Sequence, residues 1–535
     1  MGFNQCSPPN KKLDVAQAKL NCRRYHPASM KIPSSSCCRA WMLSCTGCLL
    51  LCLIAVLFLQ TTNMGSPISH SEGLSSANLL KMIQDNVLYK HTDGDAGHHV
   101  MNEECRGRYV YMYEVPAQFN ADVAHECTIA GRGPCTEAWG CLYCGGLENE
   151  GIGLQVPNQT EDGNYTLISQ NGYKYNYSIR LRPADAWYRT HQFSLEVVFH
   201  AKMRKYECLT RDVDKANAFY VPFYAGQVAA VSMKCNIMQL RDRRVNRFLG
   251  WLTSQDTWRH TTGQRHFMVL GRQPFDMNRT ITANMWGLPI TTQPELANLT
   301  FLWWEKAFSN SIHEIGIPYP TSFHPSSDAQ LKVWQDEIKG AKREWLVSYL
   351  GSARRRFRHE STLHFRQELK RQCDQEKEKC RFMDCTLRYT EWQVPCESEP
   401  EIVTLEFSNA VFCLQPEGDT PTRKSIFDSV IAGCIPAVFT NLTAHLQYHD
   451  GYLPQDPSLY SVFLNKDEIA LSKYNFVQEL AKIPADRVRR MQETIRDYIL
   501  PRIIFTLPVS SVSFLDAFDI ALQQLFSNFT SSDST

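Results

Sequence analysis

No sign of charge dominates this chain: 56 Lys and Arg stand against 55 Asp and Glu over 535 residues, a net +1 with His neutral. That balance excludes a nucleic-acid binder working by bulk electrostatics, though not a local basic patch. Glycine and proline are modest at 27 and 26 residues, which excludes collagen and Pro/Gly-rich disorder. No short internal period recurs, which sets solenoids aside. What is present is globular composition, 43% hydrophobic, 21% charged and 11% aromatic. At roughly 150 residues per domain the length predicts about three domains, or two large ones with accessory segments.

The charge is unevenly placed. Residues 1–40 carry seven Lys and Arg against the single acid Asp14, and Trp41–Gln60 carries no charge. Twenty helical residues at about 1.5 Å each span roughly 30 Å, the hydrocarbon thickness of a bilayer. Residues 61–104 are net acidic. Positive charge before the run and not after it predicts a single-pass type II anchor with the N-terminus in the cytosol. A buried core helix and a cleaved signal peptide are the competing readings. Residues 61–104 read as a stem, with one short helix at 77–89.

Seven cysteines lie in residues 1–60, where free or palmitoylated thiols are expected, and thirteen lie beyond residue 100. Cys127, Cys135, Cys141 and Cys144 read as a disulfide-braced cluster, with a zinc site as the rival. Thirteen is odd, so one thiol is expected to stay free, with Cys413 and Cys434 as buried candidates. Glycosylation sequons start at Asn158, Asn164, Asn176, Asn278, Asn298, Asn441 and Asn528, all after the apolar run.

Beyond Cys105 short apolar runs alternate with helical patterns. Strands are predicted at 108–113, 218–222, 266–270, 345–350, 410–415, 436–440 and 460–464. Helices are predicted at 193–208, 234–253, 361–379, 422–432, 466–483, 486–500 and 513–526. This alternation predicts an α/β fold with mainly parallel sheets. Residues 150–180 read as a polar surface excursion, and a boundary between two α/β halves falls near 325–343.

The most informative stretch is Val411–Phe439. It reads as a strand, a turn at Gly418-Asp419, an N-cap at Thr420, Pro421 as first helical residue, a C-terminal Gly433 and a second strand led by Pro436. Arg423 and Lys424 sit in the first turn, against the helix dipole, a placement that makes sense if an anion binds there. Asp428 can accept from ribose hydroxyls; the plain alternative is a solvated Lys424–Asp428 pair. Trp345–Gly351 runs into Arg354, Arg355 and Arg356, a diphosphate clamp or a surface charge cluster. Two Asp-x-Asp pairs, Asp93/Asp95 and Asp212/Asp214, are weak metal signals, the second reading as a turn cap.

The segment from Cys413 to Phe439 resembles the signature of the exostosin-like glycosyltransferase family, and in more detail its plant xyloglucan galactosyltransferase branch. Residues 109–120, 187–226 and 317–325 match as well, and the similarity spans nearly all of 105–505. The resemblance implies a GT-B architecture: two Rossmann-like domains, 105–335 for acceptor and 336–505 for UDP-sugar, facing a cleft, with a C-terminal helix and tail at 506–535. It implies an inverting Golgi enzyme, its catalytic part lumenal, that moves galactose or a related sugar from UDP to xyloglucan in the plant cell wall. No obligatory metal or other cofactor is implied, and no nucleic acid. The UDP-sugar positions carried over are Arg354, Gln415, Gly418, Asp419, Arg423 and Asp428. The acceptor's base is expected from the first half, with Glu196, His200 and His324 as candidates; each also has a structural reading as ion-pair partner, satisfied helix residue or turn anchor.

Close relatives usually read G-G-R-D-H-F where this chain has Thr262–Phe267, which puts Arg265 at an acidic position. Either that carboxylate orients substrate or base, or it only caps the strand that follows. The alternatives are another UDP-sugar or hemicellulose acceptor, and a non-catalytic scaffold subunit working with other wall-polysaccharide glycosyltransferases. A cell-surface receptor is a third class, for which the short tail offers no signalling domain.

Overall fold

Parallel pairing of short apolar strands organises the molecule. The computed structural model describes residues 105–132, 147–156, 165–168, 174–177, 180–232, 238–279, 287–307, 313–351, 360–384 and 400–532. Strand β1 (Val110–Met112) opens the first sheet, and a hairpin of β2 (Tyr165–Ile168) and β3 (Lys174–Tyr177) follows. The sheet continues with β4 (Leu209–Thr210), β5 (Ala218–Tyr220), β6 (His266–Leu270), β7 (Thr300–Trp303) and β8 (His313–Gly316). Its order is β4-β1-β5-β6-β7-β8, parallel throughout. The second sheet holds β9 (Trp345–Gly351), β10 (Cys380–Asp384), β11 (Ala410–Gln415), β12 (Ile435–Val438) and β13 (Val462–Phe463) in the order β10-β9-β11-β12-β13, again parallel. Strands buried on both faces read as continuous apolar runs, which is the pattern of β6, His266–Leu270, wholly buried.

Six helices matter for the site and its support. They are α1 (Leu195–Met203), α2 (Ala225–Ser232), α3 (Asp328–Gly340), α4 (Glu360–Gln375), α5 (Lys424–Ile431) and α6 (Ala517–Ser532). The expected boundary segment is α3, capped by Ser327, whose hydroxyl accepts from the Gln330 amide. Its Trp334 is fully buried, edge-on to Trp187 at 4.8 Å, and donates through Nε1 to the Ile431 carbonyl at 2.8 Å. The chain beyond Ile503 returns to the first half. Phe518 packs on Phe199 at 4.8 Å, and the buried Lys202–Asp516 pair closes at 2.5 Å. All described residues belong to one compact unit, Ile83–Thr535.

Several expectations need correction. The helix predicted from Thr422 starts at Lys424, with Arg423 extended at the cap position (φ −141°, ψ 145°). Thr420 does not cap it, because its hydroxyl donates instead to Glu305. The single helix predicted at 466–483 is two, Lys466–Ala470 and Phe476–Ala481, the second capped by Asn475. The last helix begins at Ala517 rather than Ser513, since Asp516 Oδ1 accepts from the amides of Phe518 and Asp519. The polar excursion carries the β2–β3 hairpin. Cys413 and Cys434 are buried as expected but not free: they form a disulfide, as do Cys105–Cys208 and Cys373–Cys380.

The anchor at 41–60, the stem, Asp93/Asp95 and Cys135–Cys144 lie outside the described residues. Among the described residues no helix is long and apolar enough to cross a membrane. Asp212 caps a short turn by accepting from the Asp214 amide at 3.1 Å.

Arg265 sits in a left-handed turn (φ 56°) just before β6. That is the amino end of a five-residue strand, about 16 Å from its carboxyl end. L-residues other than Asn and Asp take this conformation reluctantly. Arg265→Asp is therefore expected to leave transfer rates within about threefold and to raise stability by about 0.5 kcal/mol, read from matched kinetics and urea melts. A tenfold change in rate would put the position in the site.

Candidate active site

The carboxyl edges of the two sheets meet at a cleft of about 380 Å³. Phe275 and Asn278 beyond β6, Glu305 and Lys306 beyond β7, Thr420 beyond β11 and Gln447 beyond β12 line it. Loops at the carboxyl ends of parallel strands are where open α/β sheets bind ligands.

On the second-half side, the loop Pro416–Thr422 links β11 to α5. Gln415 pins the helix tip: its Oε1 accepts from the Ser425 hydroxyl at 2.6 Å, and its Nε2 donates to the Ser425 carbonyl at 3.2 Å. The Gly418 amide donates to the Thr420 carbonyl at 3.0 Å, and Asp419 is exposed beside it. Lys424 pairs with Asp428 one turn on, at 2.6 Å, with side chains only 11% and 14% exposed, so this is a shielded pair rather than a solvated one.

That pairing neutralises Lys424 and leaves Arg423. Among the described residues no carboxylate pairs with Arg423, and its guanidinium makes only a 3.4 Å bond to the Pro416 carbonyl. Gly351, the last residue of β9, lets it lie there. A Cβ at Gly351 would stand 2.5 Å from Tyr349 Oη and 3.2 Å from Arg423 Nη2. The buried Arg366 of α4 completes the cluster, donating to the Glu417 carbonyl at 2.5 Å. Burial pushes its pKa down to about 10, and neighbouring Arg423 pushes the same way. Two guanidiniums that repel each other beside a helix N-terminus are chemically suited to hold an anion between them. Arg354 lies outside the described residues. Arg366 was not anticipated, although an Arg between Leu363 and Leu369 on a buried helical stripe is a readable signal.

The first half supplies carboxylates and imidazoles. Glu196 is fully buried: Oε1 accepts from the amides of Gly226 at 2.6 Å and Gly271 at 3.1 Å, and Oε2 from Gln227 at 3.3 Å. Burial raises its pKa to about 7 despite those donors. It therefore ties the start of α2 to the end of β6. His200 shares a 2.8 Å hydrogen bond between Nδ1 and the Tyr224 hydroxyl, and burial lowers its pKa to about 4. His324 is held at both nitrogens, by Thr190 Oγ1 and the Phe505 carbonyl, each at 2.7 Å. Burial lowers its pKa to about 4 as well.

Two further groups went unremarked in the sequence. His191 faces Arg272 of one half and Lys424 of the other, and burial first, then those cations, lower its pKa to about 3. Glu305 crosses the cleft: Oε2 accepts from the Thr420 hydroxyl at 2.6 Å and Oε1 from the Thr422 amide at 3.3 Å. Its signal was a charge directly after the apolar run Thr300–Trp304. Of the sequon asparagines, Asn278, Asn298, Asn441 and Asn528 are exposed, Asn176 lies in β3, and Asn158 and Asn164 fall outside the described residues.

Two parallel sheets thus frame the cleft, with a basic cluster on the side of one and buried acids on the side of the other, and the chain belongs to the exostosin GT47 family, whose domain matches residues 104–479. Among its relatives in Arabidopsis thaliana, a probable xyloglucan galactosyltransferase, GT15, is 34% identical over 81% of this chain and 85% of its own. The xyloglucan galactosyltransferase XLT2 is 31% identical over 80% and 76%. A xyloglucan-specific galacturonosyltransferase is 33% identical over 79% of this chain and 57% of its own. Among solved structures, a GtfA/B complex aligns over 54% of this chain and 61% of its own, at 10% identity and a TM-score of 0.29.

Proposed function

We propose that the protein is an inverting, UDP-sugar-dependent galactosyltransferase acting on xylose side chains of xyloglucan, of GT-B type. The observation that carries this is Arg423, a guanidinium with no carboxylate partner among the described residues, which stands beside buried Arg366 at the tip of α5 and follows the cleft-lining Thr420 and Pro421 in the chain. UDP's diphosphate supplies the missing negative charge, and as UDP leaves, the same cations stabilise the charge that develops. Asp428, placed one turn along α5, serves the ribose. This supports a mechanism with no obligatory metal. The xyloglucan substrate and the galactosyl donor follow from the named relatives.

The reading includes a Golgi type II topology: cytosolic residues 1–40, an anchor at 41–60, a stem to 104 and a lumenal catalytic part. Within that part, 105–335 faces the acceptor and 336–505 holds the nucleotide. Residues 506–535 form the C-terminal helix and tail.

The test is direct. Purified protein is incubated with xyloglucan oligosaccharides, EDTA and a panel of UDP-sugars. UDP-galactose is expected to yield a β-linked galactosyl product. Transfer from UDP-galacturonic acid alone would move the protein to the other donor named among its relatives. Folded protein that uses no donor overturns the reading and favours a scaffold subunit.

A further inference from the structure

The proposed transfer lacks a group to take the acceptor's proton, and the cleft wall offers one. Glu305 follows β7 at the carboxyl edge of the first sheet and lines the cleft. Among the described residues lining that cleft it is the only carboxylate, and no imidazole lines it. Its side chain is held from across the cleft by the Thr420 hydroxyl and the Thr422 amide. Those two residues lie three and one positions before Arg423, in the loop that leads to the proposed diphosphate site. One short segment thus fixes both the leaving group and this carboxylate.

The other first-half groups are engaged elsewhere. Glu196 takes three backbone amides, His324 is held at both nitrogens, and His200 bonds Tyr224. His191, with a pKa near 3, is too weak a base.

We infer that Glu305 is the general base of the transfer. This rests on the transferase reading above. As the acceptor hydroxyl oxygen forms its bond to the sugar's anomeric carbon, its proton passes to a Glu305 carboxylate oxygen. The bond from the anomeric carbon to the phosphate oxygen breaks, and UDP departs with the bonding electrons beside Arg423. Charge balances: the carboxylate becomes a carboxylic acid and the donor phosphate gains the negative charge.

Tuning agrees with the geometry. Burial raises the Glu305 pKa to about 7, moderated by the hydrogen bonds from Thr420 and Thr422. Tyr319 and Tyr448 are its buried phenolic neighbours, and Lys306 adjoins it in sequence. A base near neutrality combines correct protonation with strong driving force for proton transfer.

The experiment uses the full chain in detergent, with UDP-galactose and xyloglucan oligosaccharides. Glu305→Gln keeps an oxygen acceptor for the threonine donors. It is expected to cut kcat by about 100- to 10,000-fold, while the UDP Kd stays within about threefold. The wild-type rate is expected to fall below pH ~7 as Glu305 protonates, and Glu305→Gln should abolish that limb. Thr420→Val removes a donor that favours the carboxylate, so its acid limb should move to higher pH. Glu305→Gln retaining more than a tenth of kcat, an unchanged acid limb in it, or an unmoved limb in Thr420→Val each overturns the assignment. So does a Glu305→Gln variant that loses UDP affinity and transfer together, which marks a structural role. If the wild type binds UDP and transfers sugar while Glu305→Gln does too, this inference alone falls. If the wild type binds no UDP, the transferase reading falls and takes this with it.

Discussion

Arg423→Ala is expected to weaken UDP binding by about 100-fold while the melting temperature moves by less than about 2 °C. The binding loss follows from the chemistry of the contact. Hydrogen bonds involving charged groups contribute about 1.5–3 kcal/mol, and every 1.4 kcal/mol is a factor of ten. The small stability change follows from what Arg423 does without ligand. Among the described residues its one protein bond is a 3.4 Å contact to the Pro416 carbonyl, and the side chain is partly exposed. Arg423→Lys should fall between, since an ammonium keeps charge but loses the fork. Calorimetry on the three proteins decides the matter. UDP binding unchanged in Arg423→Ala would remove this edge of the second sheet from consideration. In a plant lacking the protein, failure of Arg423→Ala to restore the wall would separate catalysis from scaffolding.

Lys202→Met should cost about 3–5 kcal/mol in urea unfolding, because it strands the carboxylate of Asp516 without its partner in a dry interior. Lys202 is 9% exposed and Asp516 not at all. Thr506 is in the same knot, its hydroxyl 2.6 Å from both the Lys202 ammonium and Asp516 Oδ2. Burial alone would raise the Asp516 pKa, but the Lys202 charge and the hydrogen bonds from Lys202 and Thr506 outweigh it and hold it below the usual aspartate value of 3.8. A carboxyl depressed on folding adds stability that is present above the unfolded pKa and lost as pH falls through the folded one. The wild type should therefore lose this contribution below pH ~4, and Lys202→Met should lack that limb of the stability curve. A cost below about 1 kcal/mol would show that water reaches the pair.

Much of the second half was readable because its signals are local. The strand at 410–415 and Gly433, which takes φ 66° at the end of α5, announce themselves by composition and spacing. The start of α5 did not, because the competing partner is distant. Glu305 lies 115 residues from Thr420 and draws away the hydroxyl that would have capped the helix. The same distance hid Glu305, since nothing near it marks a strand end as one wall of a cleft. The edge strand β4 has two residues, too short for periodicity to register, whereas the equally short β13 falls inside the strand predicted at 460–464. The family resemblance pointed to Gln415, Gly418, Asp419 and Arg423 around one loop, but it could not distinguish Glu196, whose oxygens belong to backbone amides, from a working acid.

The return of the C-terminus gives synthesis on the ribosome a particular order. Val110 to Gly316 builds the first sheet, yet Asp516 and Phe518, which complete its packing, emerge last. A nascent front half therefore has its strands and its Cys105–Cys208 crosslink available long before the face around Phe199 and Lys202 is covered. Truncation or a premature stop ahead of Asp516 leaves that face bare, a target for chaperones and quality control even though the whole Pro416–Thr422 loop has been made.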